Sequence, residues 1–303
     1  MDALRHYGID APVADVVTVG DPVGYRNRIR MKVEHGKVQF FNAAKPSTCA
    51  VLHPQLKRAI DTLITITEAQ PSLLDGMTHL ELRTSDADDR VGLVLSHEAH
   101  HLDQVAAALP GHWRLSYLGA PDQPTLRYDL GSGVTMDVPI DAFVQVNSVV
   151  NRAIVEHVVA QVPSDASTFV DLYAGAGNFS LPLLRCGLTG LAVEQTRSAI
   201  RQLASATQDH GLEVAVGAVE AAQEWLPVAD VVVVNPARAG LKDVRQWVAE
   251  RAASTLIYIS CRPETLAPDL VSLTADGLKP RGVTPFNMFP GTDHVETVVV
   301  LSR

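Results

Sequence analysis

Cysteine is scarce in this chain, and the features that mark secreted or membrane proteins are missing. The 303 residues include three cysteines, Cys49, Cys186 and Cys261, too few for a disulfide framework and without the spacing of a zinc site. No stretch approaches the roughly 18 apolar residues of a membrane-spanning helix, and the first residues lack the apolar segment of a signal peptide. We therefore expect a cytoplasmic protein with reduced thiols and no membrane partner.

Positive charge is scarce as well. The chain has 25 Lys and Arg against 34 Asp and Glu, which gives a net charge of −9. Proteins that bind nucleic acid through bulk charge are usually basic, so binding here would need a local basic patch and would depend on salt. The apolar fraction of 47% excludes a disordered chain, and the length predicts two domains of roughly 150 residues each.

The sequence pattern of residues 1–147 predicts an α+β domain. We predict a helix over 54–69 and strands over 80–84, 91–96 and 113–118. One earlier strand carries cations on one face and apolar residues such as Ile29 and Met31 on the other, because side chains alternate along a strand. The cations of this basic face are Arg26, Arg28, Arg30 and Lys32.

Residues 148–303 alternate buried strands with helices. This rhythm is typical of a mostly parallel, doubly wound α/β sheet. The predicted strands cover 168–173, 189–194, 214–216, 228–234 and 255–260, a helix covers 241–253, and an antiparallel pair over 279–286 and 295–301 closes the chain. Ligands in such sheets lie beyond the carboxyl ends of the strands, so residues there are candidates for a site.

A glycine-containing turn follows the first strand of this second half. The segment 171–179 reads Asp-Leu-Tyr-Ala-Gly-Ala-Gly-Asn-Phe, and Glu194 follows Gly175 by 19 residues, at the end of the next strand. Gly175 and Gly177 allow backbone amides to approach a ligand, and an acid at this spacing suits ribose hydroxyls. The third glycine of the dinucleotide fingerprint is missing, which favours a nucleoside such as S-adenosylmethionine. The alternative is a plain tight turn.

Cys261 follows the strand predicted over 255–260 and shares its rim with the glycine turn. A thiolate there is a good nucleophile, and the helix after Pro263 would help to activate it. The alternative is a buried small hydrophobe, which is also our interpretation of Cys186.

Two further segments end at the same rim. The segment 235–240 reads Asn-Pro-Ala-Arg-Ala-Gly, where Arg238 could also be an ordinary solvated charge. The segment 289–296 ends in Glu296, a candidate general base, with His294 as the alternative base. Gln145 lies at the junction of the two halves, before a helix that Asn147 could cap.

Taken together, these segments resemble the family of S-adenosylmethionine-dependent RNA uracil-C5 methyltransferases, over nearly the whole chain. The most specific signatures are Ser-Cys-x-Pro-x-Thr-Leu around Cys261 and His-x-Glu at Glu296. The matching segments are 25–28, 143–147, 171–180, 235–240, 260–266 and 289–296.

The resemblance implies a Rossmann-like class I methyltransferase domain at 148–303 behind an α+β RNA-recognition domain at 1–147. Cys261 would attack C6 of a flipped uridine in structured rRNA or tRNA, and Glu296 would remove the C5 proton after methyl transfer. Arg238 would support the uracil or the catalytic loop, the basic face would hold phosphates, and no obligate protein partner is evident. The residues implied to line the methyl-donor site are Gln145, Tyr173, Gly175, Asn178, Glu194 and Asn235.

The chain departs from the family pattern at three places. Asn235-Pro-Ala-Arg stands where the family usually has Asp-Pro-Pro-Arg, which would weaken donor binding, and Arg262 replaces the common Asn after the cysteine. Cys49 matches the last of four cysteines that hold an iron–sulfur cluster in many members. Its three partners would precede Met1, so we expect no cluster; the chain would be either a naturally short form without the N-terminal β-barrel or one that has lost an N-terminal portion.

Other functions stay open on the residues alone. Asn-Pro at a strand end also occurs in methyltransferases that act on exocyclic amino groups, which need no cysteine. The acidic balance and Asn235 also suit a catalytically weak RNA-binding relic. The net charge of −9 allows a small uracil nucleotide as substrate.

Overall fold

The computed structural model describes residue 7 and residues 9–40, 49–208 and 210–303. The chain divides into two units. The N-terminal unit comprises Gly20–Asp129 and Asp137–Ser148, and the C-terminal unit comprises Met1–Val19, Leu130–Met136 and Val149–Arg303. The division predicted after residue 147 remains a prediction. Within the described ranges, no helix is long and apolar enough to cross a membrane.

The N-terminal unit is built on one mixed sheet with the strand order β2-β1-β3-β4-β5, antiparallel except for the parallel pair β4–β5. Its elements are β1 (Arg28–Glu34), β2 (Lys37–Gln39), α1 (Pro54–Ala69), β3 (His79–Thr84), β4 (Val91–Leu95), α2 (Leu102–Ala108) and β5 (Trp113–Tyr117), with a 3₁₀ turn at Pro71–Leu74. Helix α1 begins where the His53 side chain accepts a hydrogen bond from the Gln55 amide, and its buried residues Leu56, Ile60 and Leu63 pack on the sheet.

The alternation predicted for the basic strand is confirmed over β1. Ile29, Met31 and Val33 are buried, whereas Arg30 and Lys32 are exposed.

A hairpin of β6 (Thr125–Gly131) and β7 (Val134–Pro139) follows β5 along the chain, where the sequence predicted a turn but no strands.

The C-terminal unit contains a sheet with the order β10-β9-β8-β11-β12-β14-β13. The strands from β10 to β12 run parallel, and β14 is antiparallel to both β12 and β13. The predicted doubly wound α/β fold is confirmed. The elements are α3 (Ser148–Ala160), β8 (Thr168–Leu172), α4 (Ser180–Arg185), β9 (Thr189–Glu194), α5 (Arg197–Ala206), β10 (Leu212–Val216), β11 (Ala229–Val234), α6 (Val248–Arg251), β12 (Ala252–Ser260), α7 (Pro263–Ala275), β13 (Lys279–Phe286) and β14 (Glu296–Ser302).

The strand order explains where a ligand can bind in this unit. The chain builds from β8 toward β10 on one side and then continues with β11 and β12 on the other. This reversal leaves a crevice at the carboxyl ends of β8 and β11, since the connections to their two sides diverge there. Residues 231–234 of β11 have no exposed surface, as expected for a parallel strand covered by helices on both faces.

The helix predicted over 241–253 is wrong. The segment forms a 3₁₀ turn at Lys242–Gln246 and the single-turn helix α6, and β12 already begins at Ala252. Val244, Trp247 and Val248 are all buried in the core, and Trp247 leaves the helical conformation with φ of −131°. Burial of this apolar cluster determines the backbone here, because tertiary packing outweighs intrinsic helix propensity.

A segment near the N-terminus of the chain adds to the C-terminal unit. Val13 and Val17 form parallel bridges with Val283 and Phe286 of β13. Four backbone hydrogen bonds of 2.8–2.9 Å join the two stretches. This segment therefore extends the sheet beyond its edge strand β13.

Candidate active site

Residues at the ends of five strands meet at one rim of the C-terminal sheet. Tyr173, Asn235 and Cys261 directly follow the parallel strands β8, β11 and β12, and Glu194 ends β9. Glu296 joins this edge because β14 runs antiparallel to β12 and begins where β12 ends. Parallel strands end at a common edge, so the fold brings these five predicted residues to one rim.

The glycine turn after β8 has a left-handed backbone at three positions. Tyr173, Gly175 and Gly177 all have positive φ, of 64°, 58° and 102°. A Cβ on Gly177 would lie 2.6 Å from Leu203 Cδ1, whereas one on Gly175 would meet no atom of the described residues within 4 Å. Gly177 therefore permits close packing on α5, and Gly175 borders open space at the rim.

The carboxylate of Glu194 holds this turn in place. It is only 8% exposed, and its two oxygens accept hydrogen bonds from the Gly175 amide at 3.0 Å and the Thr196 amide at 2.6 Å. A carboxylate oxygen can accept more than one hydrogen bond, so Glu194 keeps acceptor capacity for a ligand hydroxyl.

Asn178, predicted to line the donor site, contacts helix α3 through its side chain. Its side-chain amide forms two reciprocal hydrogen bonds with Asn151 of α3, at 2.8 and 3.1 Å. These bonds tie the glycine turn to α3. Asn235 is half-buried, and its backbone amide donates to the Leu172 carbonyl at 3.3 Å.

A cavity of about 270 Å³ opens at the rim beside Tyr173. Its lining residues are Tyr173, Gln195, Gly217, Val219, Glu220, Ala237, Ala239, Gly240 and Lys242. Burial raises the pKa of the Tyr173 hydroxyl, and the nearby Glu220 carboxylate raises it further. Sequence reasoning missed Gln195, Gly217 and Glu220, although Gln195 and Gly217 directly follow β9 and β10 and could have been found by that position.

A larger groove of about 610 Å³ lies at the opposite end of the parallel strands from this rim. It is lined by the amino-terminal ends of β8 to β11, including Thr168, Thr189 and Leu212. No predicted site residue lines it within the described part of the chain. The smaller cavity is therefore the better candidate for a ligand of this fold.

Cys261 lies beside Arg238 and Glu296. Ser260 pairs with Thr297 across β12 and β14, so the antiparallel register continued by one residue places Cys261 opposite Glu296. The Arg238 guanidinium lies close enough to the half-buried Cys261 thiol for its charge to act on the thiol. Burial raises the pKa of this thiol, the Glu296 charge raises it further, and the Arg238 charge opposes both effects.

Glu296 is buried, as expected of a carboxyl whose pKa is raised for acid or base catalysis. It is 4% exposed, and burial raises the pKa of its carboxyl from 4.5 to about 7. A carboxyl that titrates near neutral pH can both accept and release a proton under physiological conditions. His294 is exposed and packs edge-on against Phe289 with ring centroids 6.1 Å apart.

The four cations of the predicted basic face differ in their position relative to β1 and in their contacts. Arg26 lies before β1, and the prediction that it belongs to the strand is wrong, because bridges to Leu52 and Asn147 hold it. Arg28 is paired with Glu81 at 3.9 Å and lies 5.4 Å from the centroid of the Phe143 ring.

The loop that carries Gln145 is fixed by a buried amide of the same unit. Asn27 is 3% exposed, and its Nδ2 donates to the Gln145 carbonyl and to Ser148 Oγ, both at 3.0 Å. Thus Asn27, which sequence reasoning did not single out, orders the segment that resembles the family motif.

The other two cysteines lie away from the rim of the C-terminal sheet. Cys186 is exposed at the end of α4, so the prediction that it is buried is wrong. Cys49 is half-buried and packs against the core of the N-terminal unit. Among the described residues, no group of three or more His, Cys, Asp and Glu side chains could hold a metal ion.

Comparison with known proteins identifies similar sequences. A family model described as tRNA (uracil-5-)-methyltransferase matches residues 132–215 and 227–303. The chain is 33% identical over 207 residues to the 23S rRNA (uracil(1939)-C(5))-methyltransferase RlmD of Dichelobacter nodosus, a match that covers 63% of this chain and 48% of that protein. Over 99% of this chain and 77% of the other, it is 28% identical to RlmD of Dechloromonas aromatica.

A solved structure shares the fold over nearly the whole chain. The tRNA (uracil-54, C5)-methyltransferase of Pyrococcus abyssi, in complex with S-adenosyl-L-homocysteine, aligns with a TM-score of 0.79 and 22% identity. The alignment covers 99% of this chain and 81% of that one. This likeness confirms the Rossmann-like fold predicted from the sequence.

Proposed function

The chain belongs to the tRNA (uracil-5-)-methyltransferase family, and on that premise we propose that it transfers a methyl group from S-adenosylmethionine to C5 of a uridine in structured RNA. The observation that carries this proposal is that a half-buried thiol and a buried carboxylate lie at the same rim: Cys261 follows β12, and Glu296 begins the antiparallel neighbour β14 where β12 ends.

The rim of the C-terminal sheet fits a nucleoside methyl donor. Glu194 retains acceptor capacity beside the open space at Gly175, and Tyr173 borders the adjoining cavity. When bound, S-adenosylmethionine supplies an electrophilic methyl group on a positively charged sulfur. Asn235 follows β11 at the same rim and is proposed as a further donor ligand, and the roles predicted for Gln145 and Asn178 stay predictions.

Cys261 would begin the reaction as a thiolate. Its sulfur adds to C6 of uracil, and the electron pair of the C5–C6 bond moves toward the C4 carbonyl, which makes C5 nucleophilic. Because burial raises the pKa of the thiol, the attack needs help, and the adjacent Arg238 guanidinium stabilises the thiolate.

Glu296 would complete the reaction as the general base. After C5 has received the methyl group, the carboxylate accepts the C5 proton, and the electrons re-form the C5–C6 double bond and expel the Cys261 thiolate. Its pKa of about 7 matches this task, since a base works best when it titrates near the working pH.

The RNA substrate must present a uridine that has left its stack, because C6 of a paired base is out of reach. The exposed cations Arg30 and Lys32 on β1 would contact phosphates. The curated relatives reported above act on 23S rRNA, so large-subunit rRNA is the first substrate to test, and tRNA is the second.

Mass-spectrometric mapping of uridine methylation tests the proposal. Purified protein, donor and transcripts of 23S rRNA fragments or tRNA should yield 5-methyluridine. Cys261→Ala should abolish the product, whereas Cys186→Ala, a change at an exposed cysteine away from the rim, should leave it unchanged. A fully active Cys261→Ala enzyme would rule out the covalent route.

Glu296→Gln separates the two halves of the reaction. The variant should still attack and methylate the base but fail to eliminate, so a denaturation-resistant protein–RNA adduct should accumulate. Normal turnover by this variant would assign the base role elsewhere, with His294 as the first candidate.

One alternative function keeps the fold but changes the chemistry. Asn235 and Pro236 after β11 are also the residues that amino-group methyltransferases place at a strand end. Such an enzyme needs no thiol, so methylated adenine or cytosine that survives Cys261→Ala would support this alternative.

A further inference from the structure

A buried carboxylate on α7 lies outside the proposed chemistry but touches the loop that serves it. Asp269 is 3% exposed. Its Oδ2 accepts hydrogen bonds from the Leu241 amide at 2.8 Å and the Tyr258 hydroxyl at 2.7 Å, and Arg245 Nη1 lies 3.5 Å from Oδ1. A buried carboxylate with these partners costs more to disturb than a surface one, because its removal leaves donors without acceptors.

The loop over 235–241 is built against this carboxylate. Gly240 has φ of 73°, and a Cβ at this position would lie 2.6 Å from Asp269 Oδ2. The backbone therefore approaches the carboxylate as closely as a glycine allows. The Leu241 amide hydrogen bond then fixes the end of the loop to α7.

The same helix also fixes the middle of the loop. Thr265 precedes Asp269 by one helical turn, and its hydroxyl lies within hydrogen-bond distance of two carbonyl oxygens, that of Arg238 at 3.3 Å and that of Arg262 at 3.2 Å. Arg238 and Arg262 belong to the two loops that meet at Cys261. The first two turns of α7 thus join the loop of the arginine to the loop of the cysteine.

We propose that Asp269 is a positioning residue, which fixes the loop over 235–241 so that the Arg238 guanidinium lies against the Cys261 thiol. The inference rests on the proposed function for the role of Cys261 as nucleophile. Asp269 touches no reacting atom and acts through Arg238. Without it, the loop loses its anchor at the Leu241 amide, and the guanidinium spends less time beside the sulfur.

The reactivity of Cys261 toward iodoacetamide measures this positioning directly. Peptide-level mass spectrometry follows alkylation of Cys261, with the exposed Cys186 in the same sample as an internal reference. Asp269→Asn should slow alkylation of Cys261 relative to Cys186 by about tenfold near pH 7.5, the loss expected for one hydrogen bond to a charged group. The pH at which Cys261 reaches half its maximal rate should rise.

Asp230→Asn is the matched control. Asp230 lies near the amino-terminal end of β11, away from the loop over 235–241. Its Oδ2 accepts four hydrogen bonds from Ser167 and Thr168 at 2.8–3.1 Å. The control also removes a multiply bonded carboxylate from the same sheet and should leave the ratio of Cys261 to Cys186 reactivity unchanged. An equal loss in both variants would overturn the inference, because a general effect of stability would then explain it.

A double variant tests whether the effect passes through Arg238. Arg238→Ala alone should slow alkylation at least as much as Asp269→Asn, and adding Asp269→Asn to it should change nothing further. Additive losses would contradict the proposed route. Should Asp269→Asn fail to fold, Tyr258→Phe removes one bond to the carboxylate and should shift Cys261 reactivity in the same direction; an unchanged rate there would contradict the inference.

The alkylation assay needs neither RNA nor methyl donor, so it separates this inference from the proposed function. A protein that shows the predicted reactivities but methylates no RNA would contradict the proposed function alone. In an active enzyme, Asp269→Asn should lower kcat and leave the KM for the donor within about twofold, since the loss falls on the chemical step. A raised donor KM with unchanged kcat would contradict a positioning role.

Discussion

At the scale of single residues, the ionisation of Glu296 links the proposed chemistry to stability. Burial raises the pKa of its carboxyl from 4.5 in the unfolded chain to about 7 in the fold. The folded protein therefore binds this proton more tightly, and the free energy of unfolding should fall as the pH rises from 4.5 to 7. The loss from this one residue amounts to roughly 3 kcal/mol.

Glu296→Gln should remove this loss. We expect the variant to unfold with a free energy close to that of the wild type at pH 4.5, and to be more stable by up to roughly 3 kcal/mol at pH 8. Urea denaturation at the two pH values measures the difference. Asp171, whose pKa burial also raises to about 7, is present in both proteins and cancels in the comparison. Equal stabilities at pH 8 would show that the carboxylate is solvated in the fold.

The sequence could predict that Cys261 and Glu296 lie at the rim of the sheet, but not which neighbouring side chains are bonded to the protein itself. Cys261 and Glu296 were found because they lie next to strand ends and match specific signatures. Asn178 matches the same motif, yet its amide is bonded to Asn151, 27 residues earlier in the chain. Asp269 carries no signal in the sequence that distinguishes it from a surface acid, because its role depends on Leu241 and Tyr258 coming to it through the fold.

At the scale of elements, the turn between β8 and α4 uses its two glycines differently. Gly177→Ala should destabilise the protein by a few kcal/mol, because the methyl group would meet Leu203 at 2.6 Å in addition to the strain of positive φ. Gly175→Ala should cost only about 1–2 kcal/mol of strain, because its Cβ would meet no described atom within 4 Å.

Thermal unfolding and calorimetric donor titration of the two glycine variants test this difference. Gly175→Ala should keep most of its stability and lose donor affinity, since its methyl group would project toward the open space at the rim. Gly177→Ala should lose stability first. The opposite order would mean that the ligand approaches the turn from the side of α5.

The strand β1 should contribute to RNA binding through its exposed cations. Arg30→Gln should lower the slope of log affinity against log salt by about 0.7–0.9, the value for one phosphate contact. Electrophoretic mobility or filter-binding titrations from 50 to 200 mM salt on the same RNA give the slope. Lys57→Gln, a change on helix α1, is the charge-matched control and should leave the slope unchanged. If both variants keep the wild-type slope, β1 does not contact phosphate.

Elements with a clear periodic pattern were predicted well, and those that depend on tertiary contacts were not. Helix α1 has the bounds predicted, since a proline at its start and a regular apolar stripe specify it locally. The segment after Leu241 has helical propensity but is divided at Trp247, whose burial determines the backbone. The hairpin of β6 and β7 was missed because only its turn carries a local signal.

At the scale of the whole molecule, the order of the chain does not follow the order of the units. Residues 9–19 lie against β13, more than 260 residues later in the chain. No periodic pattern reveals this contact, because it consists of backbone hydrogen bonds along an edge strand. The change of sequence pattern near residue 148 indicates where the alternation of strands and helices begins. It does not indicate that residues 9–19 extend the sheet beyond β13.

Removal of the chain through residue 19 should therefore destabilise the C-terminal unit. The segment contributes four backbone hydrogen bonds, worth about 1 kcal/mol each, and apolar contacts of Val13 and Val17 with the core. Removal through residue 8 is the matched control, because it leaves these contacts intact. Hydrogen exchange of the β13 and β14 amides measures the result, and equal protection in the two truncated proteins would contradict the prediction.

Removal of the chain through residue 19 should also lower the pKa of Glu296, the proposed base. Val17 bridges Phe286, and Phe286 pairs with Glu296 across β13 and β14. Loss of the segment would loosen the strand pair that keeps Glu296 buried, and the pKa of the carboxyl would return toward its ordinary value. The pH at which kcat/KM is half-maximal should then fall below that of the full chain. A pH profile of the truncated enzyme measures this shift, and a profile identical to that of the full chain would show that β12 alone fixes the base.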